Sequence, residues 1–500
     1  VREKNHVCQE AEIQPLSSFP HIASLRGLYL SIPFQTILNN NPVKRSKIYS
    51  ALLVLLVFVV PEINAQSSIR NLPAKGFEKR ISEAVSAIRL IDTHEHIMSE
   101  SEALTSPADF SCLFTNYQLE DLISSGVPAD RIYNIFKNKD ATPDEKWAVI
   151  KNNWPYTRHT GYGRSVLIAA RDLYGMDDLN ENTYVELSKR IKEAHKPGYY
   201  ENILKGRAKT DACLIMEYNT TKPRDVVNEG NCNFRRFFVY DKYVSFYGYD
   251  KMNTRMSNYG KKITSLSDYE ALIDSVFAQD VKIGIQGAKF GVAYGRTLKF
   301  DDVPRETAEA VFERMKADPK RIFPFSDAKP LQDFVFFKLL GLCEKNSLPV
   351  QIHTGLQTGT GNDISNSNPT GLVRAFFKFP GLKFCLLHSG YPYGGETATI
   401  GKIFANVYVD MAWSALISPV VASHNLQEFI ETVPLNKIMA YGGDSQTVEG
   451  AYGASVLARE SVTQALTNEV KSGYLTEDEA IEIAKKILRE NAIIIYNLKL

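Results

Sequence analysis

Eight short apolar runs, alternating with helix-like patterns, constrain this chain more than any other feature. They span residues 89–94, 211–218, 236–240, 281–290, 348–353, 383–388, 406–411 and 437–443. Nearly all lack polar alternation. Strands buried on both faces read this way, as in a parallel sheet covered by helices. Eight of them with intervening helices predict a (β/α)8 TIM barrel.

The spacing between runs is uneven. Residues 97–210 separate the first two, far more than one helix needs. This stretch reads as helical over 117–126, 142–152, 164–174 and 183–195, so we expect a helical insertion after the first strand. A second excursion, 291–330, follows the fourth run. Both leave from strand C-termini, the face on which barrel enzymes carry their sites. Thr142-Pro-Asp-Glu145 and Thr476-Glu-Asp-Glu479 are capping boxes that start helices. The last helix is expected to end near Tyr496.

The N-terminal stretch is of another kind. Lys44, Arg45 and Lys47 precede the apolar block 51–60, and Pro61 and the small residues near Ala65 follow. That is the order of a secretory signal peptide, and the block is short for a bilayer span. A buried helix is the alternative. The first Met is Met98, downstream of residues argued below to matter. We therefore expect 1–65 to be a leader with its signal over 44–65, the mature barrel to cover 66–500, and the protein to be exported. A net charge of +1 with no long basic run argues against nucleic acid. The six cysteines show no CxxC spacing, and Cys213 and Cys385 sit in apolar runs as core residues do.

Polar groups end several of the apolar runs. His94 and His96 close the first, two residues apart, and would share one face of an extended strand. Lys289 closes the fourth run, His353 the fifth, His388 the sixth and Asp444 follows the eighth. In a closed barrel these ends ring one mouth. Imidazole nitrogens and a carboxylate gathered there are the donors of a transition-metal site. His195, ending a polar helix, carries a weaker signal. The glycines at 359 and 361 lack the Gly-Lys-Ser/Thr of a phosphate loop.

The order His-x-His, Lys, His, His, Asp resembles the amidohydrolase superfamily, from about residue 72 onward. Asp92-Thr-His-Glu-His96, Val350-Gln-Ile-His-Thr-Gly355, Leu386-Leu-His-Ser-Gly-Tyr-Pro-Tyr393, Asn406-Val-Tyr-Val-Asp-Met411 and Glu490-Asn-Ala492 resemble its amidohydrolase-related (amidohydrolase 2) branch. The insertion and the Lys289–Arg296 segment resemble uronate-isomerase-like members and the domain fused to glutamine synthetase in nodulin-type proteins. The resemblance implies a metal-dependent-hydrolase barrel in which His94, His96, His353 and Asp444 bind a divalent metal, Zn or else Mn. It implies that Asp444 moves the water's proton, and that His388 polarises a carbonyl or holds a second metal. Lys289 would bridge metals when carboxylated, or hold a substrate carboxylate.

Arg164, Tyr294, Arg296, Tyr391 and Trp413 are candidates to bind substrate, with Trp154, His159, Tyr162 and Tyr393 near them. An arginine fork suits a carboxylate, so the expected partner is a small acidic molecule. Homo-oligomerisation is left open, and no stable membrane span is expected. The leading expectation is hydrolysis of a small acidic amide, lactone or ester. A uronate-type isomerase, a non-oxidative decarboxylase and a non-catalytic barrel are the alternatives.

Overall fold

Each strand of the sheet pairs in parallel with the next strand in sequence, from β1 to β8. They are β1 Leu90–Glu95, β2 Thr210–Glu217, β3 Asn233–Val239, β4 Gly287–Phe290, β5 Val350–Ile352, β6 Phe384–Leu386, β7 Val407–Asp410 and β8 Ile438–Met439. The computed structural model describes residues 75–218 and 233–500. The expected leader and its signal lie outside the described residues.

The seam between β8 and β1 is made just beyond the short β8. Asp444 N–H donates to the His94 carbonyl at 2.8 Å, and His96 N–H donates to that of Ser445 at 3.0 Å. The carboxylate of Asp92 accepts the amide of Gly443 at 3.1 Å, and that of Glu95 accepts the amide of Ser445 at 2.6 Å. Gly442 and Gly443 fit this contact because it leaves no room. A Cβ on Gly443 would stand 2.0 Å from Glu95 Oε1, and one on Gly442 would stand 2.6 Å from Ala412. The result is the (β/α)8 barrel that the eight runs predict.

The fourth to eighth runs are all shorter as strands than the sequence suggests, the fourth and eighth most of all. Val281–Ile283 finish the helix Leu266–Ile283, which Gly284 ends in the left-handed conformation at φ 89°. Strand β4 begins only at Gly287. An apolar run cannot by itself separate the end of a buried helix from the start of a strand. The run 437–443 keeps two strand residues before the chain turns into the mouth.

Below the sheet, the C-terminal helical stretch plugs the barrel. Ile495 and Tyr496 pack with Ile91, Leu214, Phe237, Cys385 and Met439. Buried Tyr496 donates its hydroxyl proton to Asp410 Oδ2 at 3.2 Å and accepts from Gln351 Nε2 at 3.0 Å.

Residues 97–210 hold the helices Glu100–Leu104, Asn116–Ser124, Ala129–Lys137, Pro143–Ile150, Trp154–Thr157, Gly161–Tyr174 and Tyr184–Ala194. These bury their own apolar cluster around Phe110, Phe114, Trp147, Trp154, Leu187 and Ile191. Thr142 and Glu145 form the capping box that the sequence announces. The helix Gly161–Tyr174 docks this layer on the barrel at van der Waals limits. A Cβ on Gly161 would lie 2.0 Å from the Leu416 carbonyl, and one on Gly453 would lie 2.8 Å from that of Ser165. Among the described residues, no helix is long and apolar enough to cross a membrane.

The docking contact is backbone against backbone, so it cannot relax by a rotamer change. Gly161→Ala is expected to cost about 1–3 kcal/mol, the range for overpacking a tight interior. The loss of urea midpoint at constant slope measures it.

Candidate metal centre

The seam places His94 and His96 against Asp444. His94 Nε2 is 3.6 Å and His96 Nε2 is 3.1 Å from Asp444 Oδ1. Their ligand atoms form one cluster, with His94 and Asp444 buried and His96 half-buried. The other nitrogen of each ring is occupied. His94 Nδ1 pairs with Gln351 Oε1 at 2.8 Å, and His96 Nδ1 with the Tyr218 hydroxyl at 3.1 Å. Gln351 is fixed in turn, its Nε2 donating to the Thr93 carbonyl at 2.7 Å and to Tyr496. An amide oxygen accepts only, so His94 carries its proton on Nδ1 and turns a bare Nε2 lone pair to the mouth. This is how metal-binding imidazoles are held by the groups behind them.

The electrostatics agree with that role. Burial, helped by the nearby Lys289 charge, holds His94 well below its ordinary value and therefore neutral. Burial alone would raise Asp444, but the His94, His96 and His388 imidazoles outweigh it and keep the carboxyl well below the usual range. Two imidazoles and one carboxylate fit a divalent cation with coordination positions to spare.

His353 is placed differently from the expected fourth ligand. Its Nε2 donates to the Leu356 carbonyl at 2.7 Å, and its Nδ1 faces His388 Nε2 at 3.0 Å. It stands beside the group formed by His94, His96 and Asp444 and not in it. The tight return at Gly355, φ 77°, brings the Leu356 carbonyl round. His388 Nδ1 lies 3.0 Å from the Ala412 carbonyl and 3.7 Å from Asp444 Oδ2. With a carbonyl at each end, the two rings need one shared proton between them. Burial pushes His388 down to about 4, so that proton is weakly held.

Lys289 reaches the same point, its Nζ 3.4 Å from His94 Nε2. Burial pushes this amine down to about 8, against the pull of Asp444 and Asp241. The cavity in front of these groups holds about 320 Å³ and is lined also by Tyr117, Tyr218, Asp241, Tyr294, Thr358 and Gln446. Backbone strain gathers at this mouth. His388, Ser389, Trp413 and Asp444 all have positive φ, between 51° and 67°. Non-glycine residues persist there only when their surroundings hold them.

Of the five candidates to bind substrate, Tyr294 lines the cavity. Trp413 lies behind it, its ring 5.3 Å from His388 and stacked on Tyr117 at 4.7 Å. The arginines are elsewhere. Arg296 is fully buried, paired with Asp333 at 2.6 Å and Gln332 at 3.1 Å and lying over the Phe300 ring. Its guanidinium is spent inside the fold. Arg164 is exposed on the insertion. Tyr391 contributes its carbonyl to the Leu356 amide, and its side chain is not among those lining the cavity.

The sequence reading missed Gln351, Tyr117 and Tyr218. Gln351 did carry a signal, as a polar residue inside an apolar run two places before His353. Tyr117 and Tyr218 carried none. Tyr117 belongs to the insertion and donates to the Asp444 carbonyl at 2.6 Å.

Residues 255–498 match the family described as Amidohydrolase. Protein fluG of Emericella nidulans is 26% identical over 242 residues, which are 46% of this chain and 27% of fluG. The match thus spans only about a quarter of that relative's length. Among solved structures, the uronate isomerase of Thermotoga maritima superposes with a TM-score of 0.70 at 16% identity, covering 84% of this chain and 97% of its own. The glucuronate isomerase of Caulobacter crescentus gives 0.69 at 16%, covering 86% and 96%. A putative metal-dependent hydrolase of Lactobacillus casei gives 0.61 at 17%, covering 84% and 99%. At these identities the likeness is one of fold.

Gln351→Leu removes the acceptor that orients His94 while keeping the shape of the side chain. It is expected to weaken metal binding about 10- to 100-fold, the usual effect of losing such a partner. Competition with a chromogenic chelator reads this without an assay of activity.

Proposed function

We propose that this chain, which belongs to the amidohydrolase superfamily and is one of its enzymes, hydrolyses a small carboxylate-bearing amide, lactone or ester. The observation that carries the reading is the convergence of His94 Nε2, His96 Nε2 and Asp444 Oδ1 at the mouth of the barrel. These three residues would hold one divalent ion, zinc by the chemistry of the donors. Such an ion, when bound, supplies an acidified water and polarises a carbonyl.

The chain's own residues provide the rest. Asp444 has one oxygen toward His94 and His96 and the other toward His388. It is placed to take a proton from the attacking water and return it to the leaving group. His388 and His353 form the relay beside it, able to hold a proton weakly between their facing nitrogens. Lys289 offers a buried positive charge to a substrate carboxylate, which the two candidate arginines do not. Tyr117, Tyr218 and Tyr294 give the cavity flat walls with hydroxyl groups, suited to a ring-shaped polar substrate. The basic, apolar and small-residue order over 44–65 supports export of the enzyme.

A uronate-type isomerase is the second reading. It is favoured by the fold likeness to two uronate isomerases, which extends over most of this chain. The tyrosine hydroxyls of the cavity supply the second proton-transfer group such a reaction needs.

The test is a panel of lactones, N-acyl amino acids and uronates, assayed before and after chelation and again with Zn or Mn restored. Hydrolysis that vanishes with the metal and returns with it is expected. Asp444→Asn should lower kcat by about 10²–10⁴, the contribution of a positioned acid–base group. Ketose formed from a uronate, with no hydrolysis, replaces the leading reading by the second. Lys289→Met should raise KM for carboxylate-bearing substrates and leave their neutral analogues little changed.

A further inference from the structure

A second donor cluster lies away from the mouth, where the insertion meets the barrel. Cys112, His195 and Glu449 each present one ligand atom there, all within 4.8 Å of one another. They come from three separate elements. Cys112 lies in the short helix Phe110–Leu113, His195 ends the helix Tyr184–Ala194, and Glu449 opens the helix Val448–Ser472. Only the last belongs to the barrel. It starts four residues after Asp444.

The chemistry of the three is complementary. Glu449 Oε1 lies 2.8 Å from His195 Nε2 and 4.0 Å from Cys112 Sγ, and accepts the Tyr174 hydroxyl at 2.8 Å. Its carboxylate is buried, and the His195 side chain is only 7% exposed. His195 Nδ1 is buried and has no hydrogen-bond partner, while Tyr199 stacks on the ring at 4.6 Å. A cavity of about 250 Å³ opens on all three residues. Lys137, Lys139 and Lys146 also line it, and Lys146 is neutralised by Asp109 at 2.7 Å. The other described cysteines, Cys213, Cys343 and Cys385, are fully buried, whereas Cys112 is not.

We propose that Cys112, His195 and Glu449 bind a second zinc ion, which clips the insertion to the barrel. Thiolate, imidazole and carboxylate together are ligands that zinc takes, and three of them leave a fourth position facing the cavity. There Lys137 and Lys139 favour an anion or a hydrogen-bonded water. Binding releases the thiol proton of Cys112 to solvent and forms the sulfur–zinc bond; the imidazole coordinates through one neutral ring nitrogen. One thiolate and one carboxylate balance the charge of the ion. The clip holds the layer that bears Tyr117 over the mouth, and its barrel anchor follows directly on the segment that carries Asp444.

Cobalt is the probe, because a thiolate ligand gives it a near-ultraviolet charge-transfer absorption. The metal-free full-length protein, titrated with Co(II), should develop this band, and Cys112→Ser should lack it. Zinc content after dialysis should fall by one ion per chain in Cys112→Ser and in His195→Ala. His96→Ala should lose the mouth ion and keep the band, which separates the two sites. Added zinc should also raise the Tm of His96→Ala and leave that of His96→Ala/Cys112→Ser unchanged. Should Cys112→Ser fail to fold, Glu449→Gln takes its place in the same measurements. No thiolate band in the wild type, or a band and zinc content equal in wild type and Cys112→Ser, overturns the proposal.

Discussion

The backbone bond from Asp444 to the His94 carbonyl is the contact on which the site depends. It joins the two ends of the sheet, and in doing so sets the carboxylate against two imidazoles. The buried acids Asp92 and Glu95 grip amides on the other side of the seam, and two glycines give them room. Buried carboxylates are costly unless hydrogen-bonded; the amides of Gly443 and Ser445 meet one oxygen of each acid, and burial still pushes both acids above the usual carboxylate range. Closing the barrel and assembling the donors are one event.

The same economy runs down the barrel axis. Tyr496, near the end of the chain, supports Gln351, and Gln351 orients His94. A residue at the bottom of the barrel thereby sets the tautomer of a residue at the top. Asp410, which burial pushes up to about 7, accepts from both Tyr496 and Thr93 and ties this column to β7. The polar groups inside the barrel form connected chains, which is how an interior tolerates them.

Much of the fold was legible because strands covered on both faces leave no polar residue to spare. That rule marked the eight runs, and polar groups at their ends then stood out. The rule fails where helix and strand are both buried, as at Val281–Ile283. It also says nothing of partners far away in sequence. Arg296 looked like a carboxylate binder because its own neighbourhood does not show Asp333, which sits a helix away. His353 ends its strand as a ligand would, yet the carbonyl that turns it aside is supplied by the loop after Gly355. Cys112, His195 and Glu449 were unremarkable singly, since nothing local brings them together.

A barrel sealed by its first and last strands has a consequence for how it is made. The seam contact between Asp92 and Gly443 spans 351 positions. Until β8 has left the ribosome, β1 and β7 are open edges, and open edges recruit other strands. Contacts so distant in sequence also slow folding. The insertion, with its own apolar cluster, is synthesised just after β1 and can collapse early beside that waiting edge. A nascent chain that stops between residues 388 and 438 has every histidine of the mouth and lacks Asp444 to join them. The donor cluster at this mouth therefore cannot assemble until translation has run past β8.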